Sequence, residues 1–160
     1  MNRALQLLAL VSIFAVASCE QAAVSRSRQP VLPATENVRD FGEYALHFNA
    51  VTTNQLTSAI ARQYGIVRSN SHVLLNVSII RKETGTLGRS VPGRVVVSAV
   101  NLAGQPKNLT VREIRENDAV YYISEMAIAN EETLIFTIDV NLDEAAEPLS
   151  VRYQRQFYVD

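Results

Sequence analysis

Between Thr133 and Leu142 the chain sets Leu134, Phe136, Ile138, Val140 and Leu142 against Thr133, Thr137, Asp139 and Asn141. Successive side chains of an extended backbone point to opposite faces, so this period of two defines a strand with one buried face. On a helix the same apolar residues would be scattered around the whole circumference. The last segment repeats the pattern, with Leu149, Val151, Tyr153 and Phe157 inward, Ser150, Arg152, Gln154 and Gln156 outward, and Tyr158 expected on the outer face. Strands with one apolar face need a second layer to cover them, which points to sheet packed on sheet.

Five weaker strands are predicted over residues 43–51, 72–82, 94–102, 109–115 and 119–127, making about seven in all. In the fourth of these five, Leu109 and Val111 are in phase and Ile114 is not, as a β-bulge near Arg112 and Glu113 would produce. The strands are separated by Glu83-Thr84-Gly85, Pro92-Gly93, Ala103-Gly104-Gln105-Pro106, Asn117-Asp118 and Asn130-Glu131-Glu132. These segments are rich in residues that tolerate tight or left-handed backbone. One short helix is inserted. Leu56, Ile60 and Tyr64 recur at helical spacing, Thr53 or Asn54 can cap its start, and Gly65 can close its end. Leu56 and Ile60 are expected to be buried against one end or edge of the strands. The predicted fold class is mainly β, an immunoglobulin-like antiparallel β-sandwich of about seven strands with one inserted helix.

The N-terminus carries different information. Residues 4–17 are apolar apart from Gln6 and Ser12, and follow Arg3. A membrane-spanning helix needs roughly 20 apolar residues, so the stretch reads as a leader. It ends in Val16-Ala17-Ser18-Cys19, and Cys19 is the single cysteine of the chain. That arrangement resembles a bacterial lipobox, which makes Cys19 the expected acyl attachment point, after a signal peptide over residues 1–18. The alternative is an ordinary signal peptide cut after Ala17, leaving a soluble periplasmic protein with a free thiol. Glu20 stands where an aspartate commonly favours inner-membrane retention in lipoproteins of Gram-negative bacteria, so the outer membrane is the expected location. Removing Arg3 with the leader takes the 15 basic residues to 14 against 16 acidic ones, a net charge of −2. Nucleic acid is therefore not an expected partner. Residues 19–39 are rich in Gln, Ala, Ser, Arg and Pro and read as a flexible tether, which leaves residues 40–160 as the folded domain.

The domain also resembles a known family. The residues concerned are Asp40-Phe41-Gly42 with Tyr44, His47, Phe48 and Asn49; Tyr64-Gly65-Ile66 with Arg68-Ser69; Leu75-Asn76-Val77-Ser78; and Asn101-Leu102 with Gly104-Gln105. Further matches are Arg112-Glu113-Ile114, residues 118–123, residues 130–134 and Gln156-Phe157-Tyr158 with Asp160. Together they resemble domain-of-unknown-function family 4426, found in small secreted or lipid-anchored proteins of proteobacteria. The resemblance implies a secreted β-sandwich and brings no activity, catalytic residue or cofactor with it.

Chemistry is thinly signalled. A copper site would need the two histidines, His47 and His72, to converge with Met126 from three separate strands. No tetrahedral cysteine and histidine set is available, so no metal is expected. His47 is instead expected to pack near Phe48. A serine hydrolase lacks its G-x-S-x-G turn, and the acid pairs Glu131-Glu132 and Asp143-Glu144 fall in turns, where carboxylates are solvated. No enzyme activity and no cofactor are expected. Tyrosine joins a large apolar body to one polar tip, so Tyr44, His47, Tyr64, Arg68, Tyr121 and Tyr122 form the candidate interaction surface. Their ordinary structural role would be to close the core, with Arg68 paired to an acid such as Glu113 or Asp118. The expected function is a non-catalytic binding module of the cell envelope, tethered to the membrane by lipid and meeting an envelope protein partner. The alternative is a small-ligand or copper carrier with a pocket between helix and sheet, and a hydrolase ranks below both.

Overall fold

The computed structural model of the chain describes residues 30–145 and 147–159. The expected signal peptide over residues 1–18, Cys19 and the first part of the expected tether lie outside these residues. In chain order the elements are β1 (Val31–Leu32), β2 (Val38–Phe41), β3 (Tyr44–Thr52), a 3₁₀ turn (Thr53–Gln55), α1 (Ser58–Tyr64), β4 (His72–Arg81) and β5 (Arg89–Ser90). They continue with β6 (Arg94–Asn101), β7 (Arg112–Glu116), β8 (Ala119–Ala127), β9 (Glu132–Asn141) and β10 (Leu149–Phe157).

These strands form two sheets. One runs β1-β10-β9-β6, the other β2-β3-β4-β8-β7, with β5 also paired to β4. Every pairing is antiparallel except β1 with β10. The protein is thus a mainly β, immunoglobulin-like sandwich, and the seven predicted strands are its seven longer ones. Leu134, Phe136, Ile138 and Val140 of β9 are fully buried between the sheets, facing Leu46, Leu75, Val77 and Ile79 from the second sheet. Aromatic rings fill the centre: Phe136 stacks on Tyr153 at 5.7 Å and meets Phe157 edge-on at 6.5 Å, while Phe48 lies 5.1 Å from Tyr153.

Four expectations need correction. The tether does not extend to residue 39, because Val31–Leu32 adds to β10, Leu32 is buried in the core, and Val38–Phe41 pairs with β3. Strands this short have no room for a period to register, and the neighbouring edge decides their pairing. The expected bulge at Arg112 and Glu113 is replaced by a strand that begins at Arg112. Leu109 and Val111 lie before it and pack on the core between the sheets, whereas Ile114 belongs to a second apolar cluster. The helix starts one turn later than predicted, with Thr57 as its cap. The Thr57 Oγ1 accepts the Ile60 N–H at 3.3 Å, and Gly65 closes the helix at φ 66° as expected. Ile60 is exposed rather than buried, and Ala61 makes the contact with the sheet.

Candidate functional site

The second apolar cluster marks the place where the sandwich departs from a plain two-layer design. Leu74 and Ile123 are buried although they alternate onto the outer face of their sheet, where Ala61 and Ile66 cover them with Leu56, Tyr64 and Ile114 alongside. Helix α1 and the chain that follows it therefore form a partial third layer over β4, β8 and β7.

This layer is strapped down by polar contacts. Thr53, fully buried, accepts the Ser69 N–H at its Oγ1 (2.9 Å), which also lies 2.9 Å from the Val67 carbonyl. The Asn54 N–H donates to the Ser69 carbonyl at 3.2 Å. Arg68 donates to the Asn54 carbonyl at 2.7 Å and to Ser58 Oγ at 3.1 Å. Arg112 of β7 forks onto the Tyr64 carbonyl at the helix end, both contacts at 3.2 Å, and reaches Glu125 Oε1 at 3.1 Å. A helix of one and a half turns has little stability of its own, so these straps and the apolar contact hold it in place.

The helix does not cover the sheet completely. Between them lies a half-open cavity of about 370 Å³. Val51, Leu74, Ile114 and Ile123 form its floor, Leu56, Ile60 and Ile66 the helix side, and Asn49, Asn76, Glu116, Tyr64 and Tyr121 its polar margin. Tyr64 donates its hydroxyl to the Glu116 carboxylate, and this bond, with some desolvation, raises the phenol above its ordinary value. Gln63 Nε2 bonds the same carboxylate. Arg155 donates to Asn49 Oδ1 at 3.0 Å from the neighbouring sheet edge. Asn76 Oδ1 is buried and meets no donor among the described residues. A buried acceptor without a donor costs roughly 1–3 kcal/mol, so this atom is an exception within a well-satisfied fold.

The predicted surface is divided by the pleat. Tyr64 and Tyr121 line the cavity. Tyr44 and Tyr122 face the other way, into the core, and the Tyr122 hydroxyl accepts the Gly93 N–H at 2.9 Å. Burial raises the Tyr122 phenol, an effect that the bond from Gly93 opposes. His47 is exposed on the outer face of β3, on the opposite side from Phe48, and is not one of the cavity residues. Arg68 braces the helix rather than pairing with Glu113 or Asp118. His72 opens β4 at the surface, and Met126 is buried on the core side, so the three groups of the copper reading do not come together. Among the described residues no group of three or more His, Cys, Asp or Glu could hold a metal ion.

Sequence reasoning missed Ile114, Glu116 and Ile123 as parts of the site, and had Asn49 and Asn76 only as polar residues within the family motifs. The signal was present in Val73-Leu74-Leu75, an unbroken apolar run inside an otherwise alternating strand. Such a run requires cover on both faces of the sheet. The out-of-phase Ile114 carried the same message.

The comparisons agree with this architecture. The model of the family described as "Domain of unknown function (DUF4426)" matches residues 38–160. The crystal structure of a DUF4426 family protein from Pseudomonas aeruginosa PAO1 aligns with a TM-score of 0.63 at 28% identity, covering 77% of this chain and 94% of that one. No curated protein matches the chain. The chain therefore belongs to the DUF4426 family.

Proposed function

We propose that this protein is a lipid-anchored, periplasm-facing lipoprotein of the outer membrane whose sandwich domain is a non-catalytic binding module, taking its ligand in the cavity beneath α1. The observation that carries the binding role is the cavity itself: about 370 Å³, apolar over its floor, with a few polar groups at one margin. That combination suits retention of a small ligand, and its size falls in the ordinary range for such sites. A concave site favours a ligand over a flat protein contact, so an envelope protein partner is the second reading. The support for the anchor is Val16-Ala17-Ser18-Cys19 behind an apolar leader too short to span a bilayer.

The two parts separate experimentally. Metabolic labelling with an alkyne palmitate analogue should tag the full-length protein and leave Cys19→Ser untagged. Labelling of neither removes the anchor and favours cleavage after Ala17, and equal labelling of both removes Cys19 as the attachment point. For the binding role, benzoylphenylalanine in place of Ile60, at the cavity lip, is photolysed in living cells. A small-mass adduct is expected there and none from the same probe at Leu102. Indistinguishable adducts at both positions would remove the cavity as the binding site.

A further inference from the structure

Resting on the binding-module reading, we infer that the cavity selects an apolar small molecule carrying a protonated amine. The polar margin carries one carboxylate, two tyrosine rings and two side-chain amides, so its only formal charge is negative. Glu116 supplies a carboxylate, Tyr64 and Tyr121 stand beside it, and Asn76 presents a buried amide oxygen with no donor. A carboxylate next to tyrosine rings attracts an ammonium through its charge and through the ring faces.

The cations nearby are turned to other work. Arg112 is engaged with the Tyr64 carbonyl and Glu125, and Arg155 with Asn49. Among the described residues no Lys, Arg or His lines the cavity. An anionic head such as a fatty-acid carboxylate or a phosphate would therefore meet the Glu116 charge with no positive charge in the lining to offset it, only the neutral amides of Asn49 and Asn76. A neutral alcohol could donate to the same acceptors without gaining the charge attraction. The apolar floor holds the body of the ligand, and the Glu116 end sets the sign of its head group.

The test uses the full-length lipidated protein in lipid nanodiscs, with the Ile114 and Ile123 methyl resonances as reporters. n-Hexylammonium, hexanol and hexanoate share one apolar chain and differ only in the head. Hexylammonium should shift both methyls and bind about tenfold more tightly than hexanoate, a ratio that Glu116→Gln should reduce below about threefold. Because Glu116 sits on an edge strand, this variant is expected to fold, and unchanged resonances of Phe136 and Tyr153 would verify it. If all three probes bind alike, or hexanoate binds best, the amine assignment falls and the binding-module reading survives. If none shifts the methyls, the cavity reading falls as well. A short peptide with an aliphatic first residue presents the same amine on a main chain. Tighter binding of that peptide than of hexylammonium would transfer the site to a polypeptide terminus and overturn the small-molecule assignment.

Discussion

Glu132 is the most heavily bonded carboxylate among the described residues. It pairs with Lys107 Nζ through both oxygens, at 2.6 and 2.7 Å, and accepts the Ala129 N–H at 2.8 Å. Burial would raise its pKa, but the bonds from Lys107 and the Ala129 N–H outweigh that and hold it below 4.5. A carboxyl lowered in the folded state binds fewer protons than in the unfolded chain. Its contribution is therefore complete above about pH 4.5 and is lost as the pH falls through the folded value. Glu132→Gln should cost about 2 kcal/mol in urea unfolding at pH 7, with the difference from wild type shrinking below pH 4.5. Asn76 predicts the opposite sign. Asn76→Leu keeps the branched side-chain shape, places its extra bulk toward the half-open cavity and removes a buried acceptor that has no donor among the described residues, so it should stabilise the fold by up to about 1 kcal/mol while weakening amine selection. Neither role was legible from residue type alone. Glu132 reads as a solvated turn acid until Lys107 is brought beside it, and Thr53 reads as a helix cap until Ser69 arrives to make it a buried strap.

Helix α1 shows how far local signals carry an element. Gly65 was legible because the end of a helix often needs left-handed backbone, and φ there is 66°. A Cβ at this position would meet nothing within 4 Å, so Gly65→Ala tests backbone conformation without a clash. It should lower the urea midpoint by the equivalent of about 1 kcal/mol with an unchanged slope. The predicted start lies a turn early because Thr53 and Asn54 stand just before the apolar spacing that opens at Leu56, whereas in the fold Leu56 precedes the helix and Thr57 caps it. Gly93 marks another limit of local reading. It was assigned to a turn, yet an added Cβ would lie 2.6 Å from Leu142 Cδ2 and 2.9 Å from Ile79 Cδ1. Gly93→Ala should destabilise the domain by roughly 1–3 kcal/mol through overpacking, measurable as a lower thermal midpoint.

At the scale of the whole molecule, the sandwich depends on the aromatic centre that joins its two sheets. Phe136→Ala removes a fully buried ring from its contacts with Tyr153 and Phe157. It should cost about 3–5 kcal/mol by calorimetry or urea unfolding, more than any change at the cavity. The two-layer fold was legible because one-sided burial imprints a period of two on each long strand, and that period survives in the sequence whichever strands become neighbours. Alternation could not say which strand lies beside which, that Val31–Leu32 would join β10 in parallel, or which sheet face would be covered twice. Those outcomes depend on contacts between residues far apart in the chain: Ile114 packs on the cluster that holds Ile66 and Leu74 only after three strands and a helix have been brought together. The sequence by itself determined the fold class and the family, both of which rest on local spacing and residue identity. Only the tertiary structure decided the cavity, since a concavity is the space left when a helix too short to span the sheet is strapped across it.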